Sequence, residues 1–198
     1  MATVSGRRCS TTTDRGAVAV VAQFRRARKG GVSVTFGKAE TRILRHILGE
    51  MLELLGPEDE RSEDPLAAAL GIGTSTAPPS DPALARLFPD GYTDDPEASA
   101  DFRRYTEPGL RDAKRAAART ALDTIGEPGQ RQVLDLEQAQ AWLRALNDTR
   151  LVLGERLGVT EDLDELIESL AEDDPRLGLL WVYDRLTFLQ ESLVGALW

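Results

Sequence analysis

Arg150, Asp184 and Glu191 are the residues of this chain whose type and position could do chemistry. In WLRALNDTRLVLGERLGV, residues 142–159, a helical wheel places Trp142, Leu146, Leu153 and Leu157 in one stripe with Arg150 inside it. In PRLGLLWVYDRLTFLQESLVGALW, residues 175–198, the wheel gathers Leu177, Trp181, Phe188 and Gly195, and Asp184 and Glu191 fall among them at the a/d-like positions of a packed helix. One helix therefore carries a cation, and another two anions, on the face expected to be buried. A charge moved alone into an apolar interior is very costly, so it arrives with a partner. The planar guanidinium fork suits a carboxylate, so the first expectation is a structural ion pair of Arg150 with Asp184 or Glu191, with the Tyr183 hydroxyl at its flank. The alternative is a pocket open to solvent. There one arginine and two carboxylates would bind a small polar ligand or perform acid–base chemistry, including the paired-carboxylate chemistry of glycoside hydrolysis.

Little else in the chain is equipped for catalysis. Nucleophile elbows, phosphate-binding Walker loops, dinucleotide fingerprints and Glu-x-x-His metal spacings are absent from the sequence. The single histidine, His46, falls off the apolar face of its helix and reads as exposed and inert. The single cysteine, Cys9, permits no intramolecular disulfide and no multi-cysteine metal site, which fits a reducing cytoplasm. No cofactor is expected. The formal charge of −9 is unevenly placed: residues 1–50 hold ten Lys/Arg against three Asp/Glu, and the remainder is acidic. A basic head on an acidic body directs attention to Arg25, Arg26, Arg28 and Lys29 as candidate contacts for nucleic acid or an acidic partner.

Those four residues crowd the tip of a hairpin. Val20, Ala22 and Phe24 alternate with more polar positions, as do Val32, Val34 and Phe36, and Gly30-Gly31 between the runs can take the positive φ that a tight turn needs. A lone hairpin is unstable in water, so its apolar face must pack on helices. The first helix carries Ile43, Leu44, Ile47, Leu48, Met51 and Leu55 on one face and stops at Gly56-Pro57. Asp-Pro recurs at 64–65, 81–82 and 95–96, each an N-cap followed by proline at the first helical position. Two short helices, 65–70 and 82–88, and a long one from Pro96 follow. GIGTST at 71–76 reads as a helix cap and turn, and Pro108-Gly109 should break the long helix, with Thr106 capping its second half. Arg103, Arg104, Arg111, Lys114, Arg115 and Arg119 form a basic stripe there, read either as a phosphate-contacting surface or as a face that pairs with the acidic body. EPGQRQ at 127–132 reads as a loop. The next helix has Asp135 as its cap and Gly158 as its stop, a short acidic helix follows, and the last helix begins at Asp174-Pro175. Residues 1–17 are too polar to pack and are expected to be a disordered tail without the apolar core of a signal peptide, and no apolar run is long enough to span a membrane.

The segments DPLAAALGIGTSTAPPSDPALARLFPDGY, DFRRYTEPGLRDAKR, WLRALNDTRLVLGERLGV and YDRLTFLQESLVGAL together resemble an actinomycete domain-of-unknown-function family. Its genes commonly lie beside the one for the ClpS protease adaptor, and it includes oxidative-stress transcriptional regulators of the AosR type. The resemblance covers roughly residues 20–198. It implies a small, mostly helical, non-enzymatic cytoplasmic protein with a regulatory role, and it supplies no catalytic residue. The expected architecture is mainly α: a bundle of about five to seven helices over residues 18–198 with an N-terminal β-hairpin packed on it. The expected function is regulation of transcription in the stress-response sense, through a protein partner or DNA. The alternatives are an accessory factor in Clp-type proteolysis, or a ligand binder or enzyme using Arg150, Asp184 and Glu191.

Overall fold

A computed structural model describes residues 22–28, 30–56, 73, 76–159 and 163–198. Cys9, Lys29, the 65–70 segment and the 1–17 tail lie outside them. The described chain is mainly α, with a small sheet packed on the helices: β1 (Arg25–Arg26), β2 (Val32–Thr35), α1 (Lys38–Leu55), α2 (Pro82–Leu87), α3 (Pro96–Thr124), β3 (Arg131–Leu134), α4 (Leu136–Leu157), α5 (Leu163–Glu168) and α6 (Arg176–Leu197).

The hairpin forms as its alternation requires. Arg25 pairs with Ser33 and Arg26 with Val32, while Ala22, Phe24, Val32, Val34 and Phe36 are all buried. Gly30 and Gly31 both take positive φ, 94° and 77°. A third strand, β3, occupies the end of the expected loop and the start of the expected helix. It is antiparallel to β2, with Val32 against Leu134 and Thr35 against Arg131. RQVL alternates too briefly to announce itself, yet Leu134 is buried and Val133 exposed, as a strand with one wet face demands. A β-carbon on Gly31 would collide with the Leu134 carbonyl, so that glycine also permits the sheet to close on β3.

The helix caps follow the sequence. Asp81 Oδ1 accepts from the Ala83 and Leu84 amides, Asp95 Oδ1 from Ala98, and Asp135 exchanges capping-box bonds with Gln138. Gly158, left-handed at φ 68°, ends α4. At the last helix Asp174 accepts from the Arg176 amide at 2.8 Å, so the helix proper begins one residue beyond Pro175.

Pro108 does not break α3. The helix runs unbroken for 29 residues with the proline inside it, and Thr106 donates back to Phe102 O at 2.7 Å instead of capping a new helix. The missing proline N–H leaves the Arg104 carbonyl without its intrahelical donor. That carbonyl accepts from the Gly73 amide at 2.8 Å. A β-carbon on Gly73 would stand 2.8 Å from Pro108 Cγ, so the glycine of GIGTST is what lets another backbone approach the gap.

The sheet, α1, α3 and α6 surround α4. Trp142, completely buried, stacks on Phe36 at 5.4 Å between ring centroids, meets Phe24 edge-on at 5.6 Å, and donates from Nε1 to Thr124 Oγ1 at 2.8 Å. A second cluster joins the end of α1 to α2 and α4 through Met51, Leu55, Ala83, Leu87, Phe88 and Val152. His46 is exposed on α1, as its place on the wheel requires.

Candidate interaction surface

Most of the basic stripe on α3 turns inward. Arg103, Glu107, Arg111 and Arg115 succeed one another at four-residue spacing and are all buried. Glu107 bridges its neighbours, accepting from Arg103 Nη1 at 2.7 Å and from Arg111 Nη2 at 2.6 Å. Burial disfavours the charged form of Arg103, but its bonds to Glu107 and Asp90 outweigh that and hold the guanidinium above its ordinary pKa. Beyond Glu107 the arginines serve the backbone. Arg111 Nη1 and Arg115 Nη2 donate to Leu55 O at 2.8 and 2.9 Å, and Arg115 Nε to Gly56 O at 2.8 Å. α1 has no cation in its own last turn, and α3 supplies the charge and the donors its C-terminal carbonyls require. Lys114 is likewise committed, to Asp148 at 2.8 Å. Asp148 lies on the side of α4 that α3 covers, and its carboxylate is buried there. A phosphate-contacting surface on these residues is therefore excluded. The sequence signal was the four-residue spacing with a glutamate inside it.

Arg150 is half-buried between α4 and α6, but neither carboxylate meets it. Its Nη1 donates to Gln190 Oε1 at 2.8 Å, and its guanidinium lies 5.6 Å from the Tyr183 ring centroid. Asp184 and Glu191 are exposed, together with Trp181 and Phe188. The packed face of α6 is instead Leu180, Leu186, Leu189, Leu193 and Ala196. Both faces of α6 are apolar, so a wheel alone could not choose between them. Burial of the aliphatic face leaves the two carboxylates in water, where ionised groups cost nothing to keep. The structure thus brings together only Arg150 and the Tyr183 flank of the expected constellation. The ion pair that does join α6 to the rest of the core is Arg185 with Glu40, 2.6 Å apart, and Arg185 also donates to the Ala22 carbonyl.

The hairpin arginines stand differently. Arg25, Arg26 and Arg28 are exposed. Arg26 reaches the end of α6, its Nε 3.4 Å from Ala196 O. Pairing of β2 with β3 adds Arg131, whose Nη2 donates to Ser33 Oγ at 3.1 Å. The open face of the sheet is a groove lined by Arg25, Arg26, Arg28 and Arg131 with Ser33 and Val133, and no carboxylate is among its lining residues. Arg131 was not visible as a member of this group because its strand was not. Three-stranded pairing is what moves it from a loop to the far side of β2 from Arg25, lining the same groove.

Among the described residues no group of three or more His, Cys, Asp or Glu could hold a metal ion, and no helix is long and apolar enough to cross a membrane. Fold and surface together define a mainly α protein whose distinctive exposed chemistry is an arginine-lined sheet. Comparison with known proteins places it further. Residues 21–197 match the family described as Domain of unknown function (DUF2017), and the chain belongs to that family. It is similar to the Oxidative stress regulator AosR of Mycobacterium tuberculosis (strain ATCC 25618 / H37Rv), 37% identical over 214 residues that cover 98% of this chain and 97% of that protein. The protein of the same name from Mycobacterium bovis matches equally, and a Mycobacterium leprae relative is 35% identical over 217 residues, 100% of this chain and 99% of its own length. No solved structure matches the chain. The names of these relatives support a regulatory role.

Proposed function

We propose that this protein is a non-enzymatic cytoplasmic regulator of the stress response that acts on transcription by holding an anionic partner, DNA or an acidic protein face, against the open side of its sheet. The observation that carries the reading is the groove of Arg25, Arg26, Arg28 and Arg131 without a carboxylate, on a chain whose net charge is −9. Arginine forks placed this way suit phosphate or carboxylate groups. A basic patch on an otherwise acidic protein also orients an incoming anion. The chain's one cysteine cannot form an intrachain disulfide, so regulation here does not use one.

The test compares the wild type with a variant carrying Arg25→Ala, Arg28→Ala and Arg131→Ala. Binding to labelled duplex DNA is followed by fluorescence anisotropy at graded salt, and protein partners are captured in parallel from the native cytoplasm. Contact through the groove predicts loss of binding in the variant. For DNA it also predicts an affinity that falls steeply as salt rises. A variant that retains both DNA binding and every captured partner overturns the proposal.

A further inference from the structure

A surface distinct from the arginine groove lies along α6. Leu177, Trp181, Asp184, Phe188, Glu191, Gly195 and Trp198 follow one another at alternating steps of four and three, the spacing of a coiled-coil seam. The seam faces solvent: Trp181 is 54% exposed, Phe188 41% and Trp198 89%. Single exposed apolar residues need no explanation, but Trp181 and Phe188 one heptad apart, with Trp198 continuing the seam about 26 Å from Trp181, do. At Gly195 an added β-carbon would meet nothing within 4 Å, so the seam has an open notch there.

The polar members of the seam say what covers it. Asp184 and Glu191 stand one heptad apart, and no ion pair of either occurs among the described residues. The cations around them are engaged elsewhere: Arg176 with Asp174 at 2.8 Å, Arg185 with Glu40 at 2.6 Å, and Arg150 with Gln190. A second copy of α6 is a poor occupant. Paired in parallel, it sets Asp184 on Asp184 and Glu191 on Glu191. Paired antiparallel, it sets Asp184 on Phe188 and Glu191 on Trp181 and buries both carboxylates without a cation. Like charges facing one another in the first case and uncompensated carboxylates in the second select against such pairing. The chain's own residues 1–21 offer Arg7, Arg8 and Arg15, but beyond Met1, Ala2, Val4 and Cys9 their apolar residues are one unbroken run, Ala17 to Val21, which does not repeat at core spacing over three heptads.

We propose that the α6 seam docks a helix of a partner protein, amphipathic and cationic, with apolar residues at heptad core spacing and a Lys or Arg on each of two core positions one heptad apart, facing Asp184 and Glu191.

The test uses the full chain and a synthetic three-heptad peptide with leucine at its core positions except for lysine at two of them, one heptad apart. The control peptide carries glutamate at those two positions. Binding is read by fluorescence anisotropy of the labelled peptides, and self-association by sedimentation velocity. The lysine peptide binds saturably and the glutamate peptide roughly tenfold more weakly or worse. The double substitution Asp184→Lys, Glu191→Lys, confined to exposed side chains, reverses that order, and Trp181→Ala weakens binding of the lysine peptide. The proposal is overturned by failure of the lysine peptide to bind, by equal binding of both peptides, or by a preference that survives the charge swap. It is also overturned if the wild type sediments as a dimer that Trp181→Ala disperses, since a second copy then occupies the seam.

Discussion

Glu107→Leu removes the carboxylate that Arg103 and Arg111 share and leaves a side chain of similar reach in its place. Both guanidiniums are buried, 4% and 8% exposed, Arg103 against Phe88 and Asp90 and Arg111 against the end of α1. Each keeps some partners: Arg103 retains Asp90 and the Phe88 carbonyl, and Arg111 retains Leu55 O and the face of Phe88, 4.7 Å from its ring centroid. Breaking a buried charge network by removing one member costs about 3–5 kcal/mol, because the remaining charges lose part of their compensation. At ~2–4 °C per kcal/mol for a domain of this size, Tm falls by roughly 10 °C. Glu107→Gln keeps the shape and one acceptor and should cost less, about 1–3 kcal/mol. Glu127→Ala is the control. It removes a partner of Arg45 that is 79% exposed, at 3.7 Å, and should change stability by less than about 0.5 kcal/mol. Thermal melts followed by circular dichroism, with urea titrations for the free energies, measure all three. The reasoning fails if Glu107→Leu costs less than about 1 kcal/mol, because the partners that remain would then be satisfying the arginines.

Two further substitutions probe the packing. Arg150→Ala deletes one bond to a neutral amide and one stacking contact and orphans no carboxylate, so a loss of about 1–2 kcal/mol is expected in the same melts; a loss of 4 kcal/mol or more would indicate a buried anion partner after all. Gly73→Ala drives a methyl group against Pro108 Cγ and should destabilise by about 1–3 kcal/mol, with faster hydrogen exchange at the residue-73 amide as the backbone lifts off the Arg104 carbonyl; unchanged exchange would count against that contact.

How far the sequence could be read depends on whether a decision was local. The caps at Asp81, Asp95 and Asp135 were legible because a carboxylate and the amides it serves lie within three residues of each other. The hairpin was legible because alternation and a glycine pair agree. Pro108 was misread because the donor that repairs its gap, Gly73, sits thirty-five residues away, beyond any local rule. The α3 arginines could be read as a phosphate-contacting surface or as a face that pairs with the acidic body; what decides for Arg111 and Arg115 is the end of α1, again a distant element. On α6 the sequence offers two apolar stripes and a pattern cannot rank them. Tertiary contact does, with the sheet and α4 taking the aliphatic one. The charged residues on the exposed stripe were thereby misassigned to an interior pair, whereas Arg25, Arg26 and Arg28 are exposed as their place near the hairpin tip requires. The regulatory role came from the resemblance, and the curated relatives support it at that level.

The borrowed end of α1 has a consequence for how the molecule comes apart. Its last carbonyls take their donors from a helix that begins some forty residues later, so α1 excised as a peptide would fray from its C-terminus, whatever its propensity. Within the whole chain the same bonds prevent α1 and α3 from opening independently. The two helices form one unit of local unfolding, and amides near Leu55 and near Arg111 should lose their protection together.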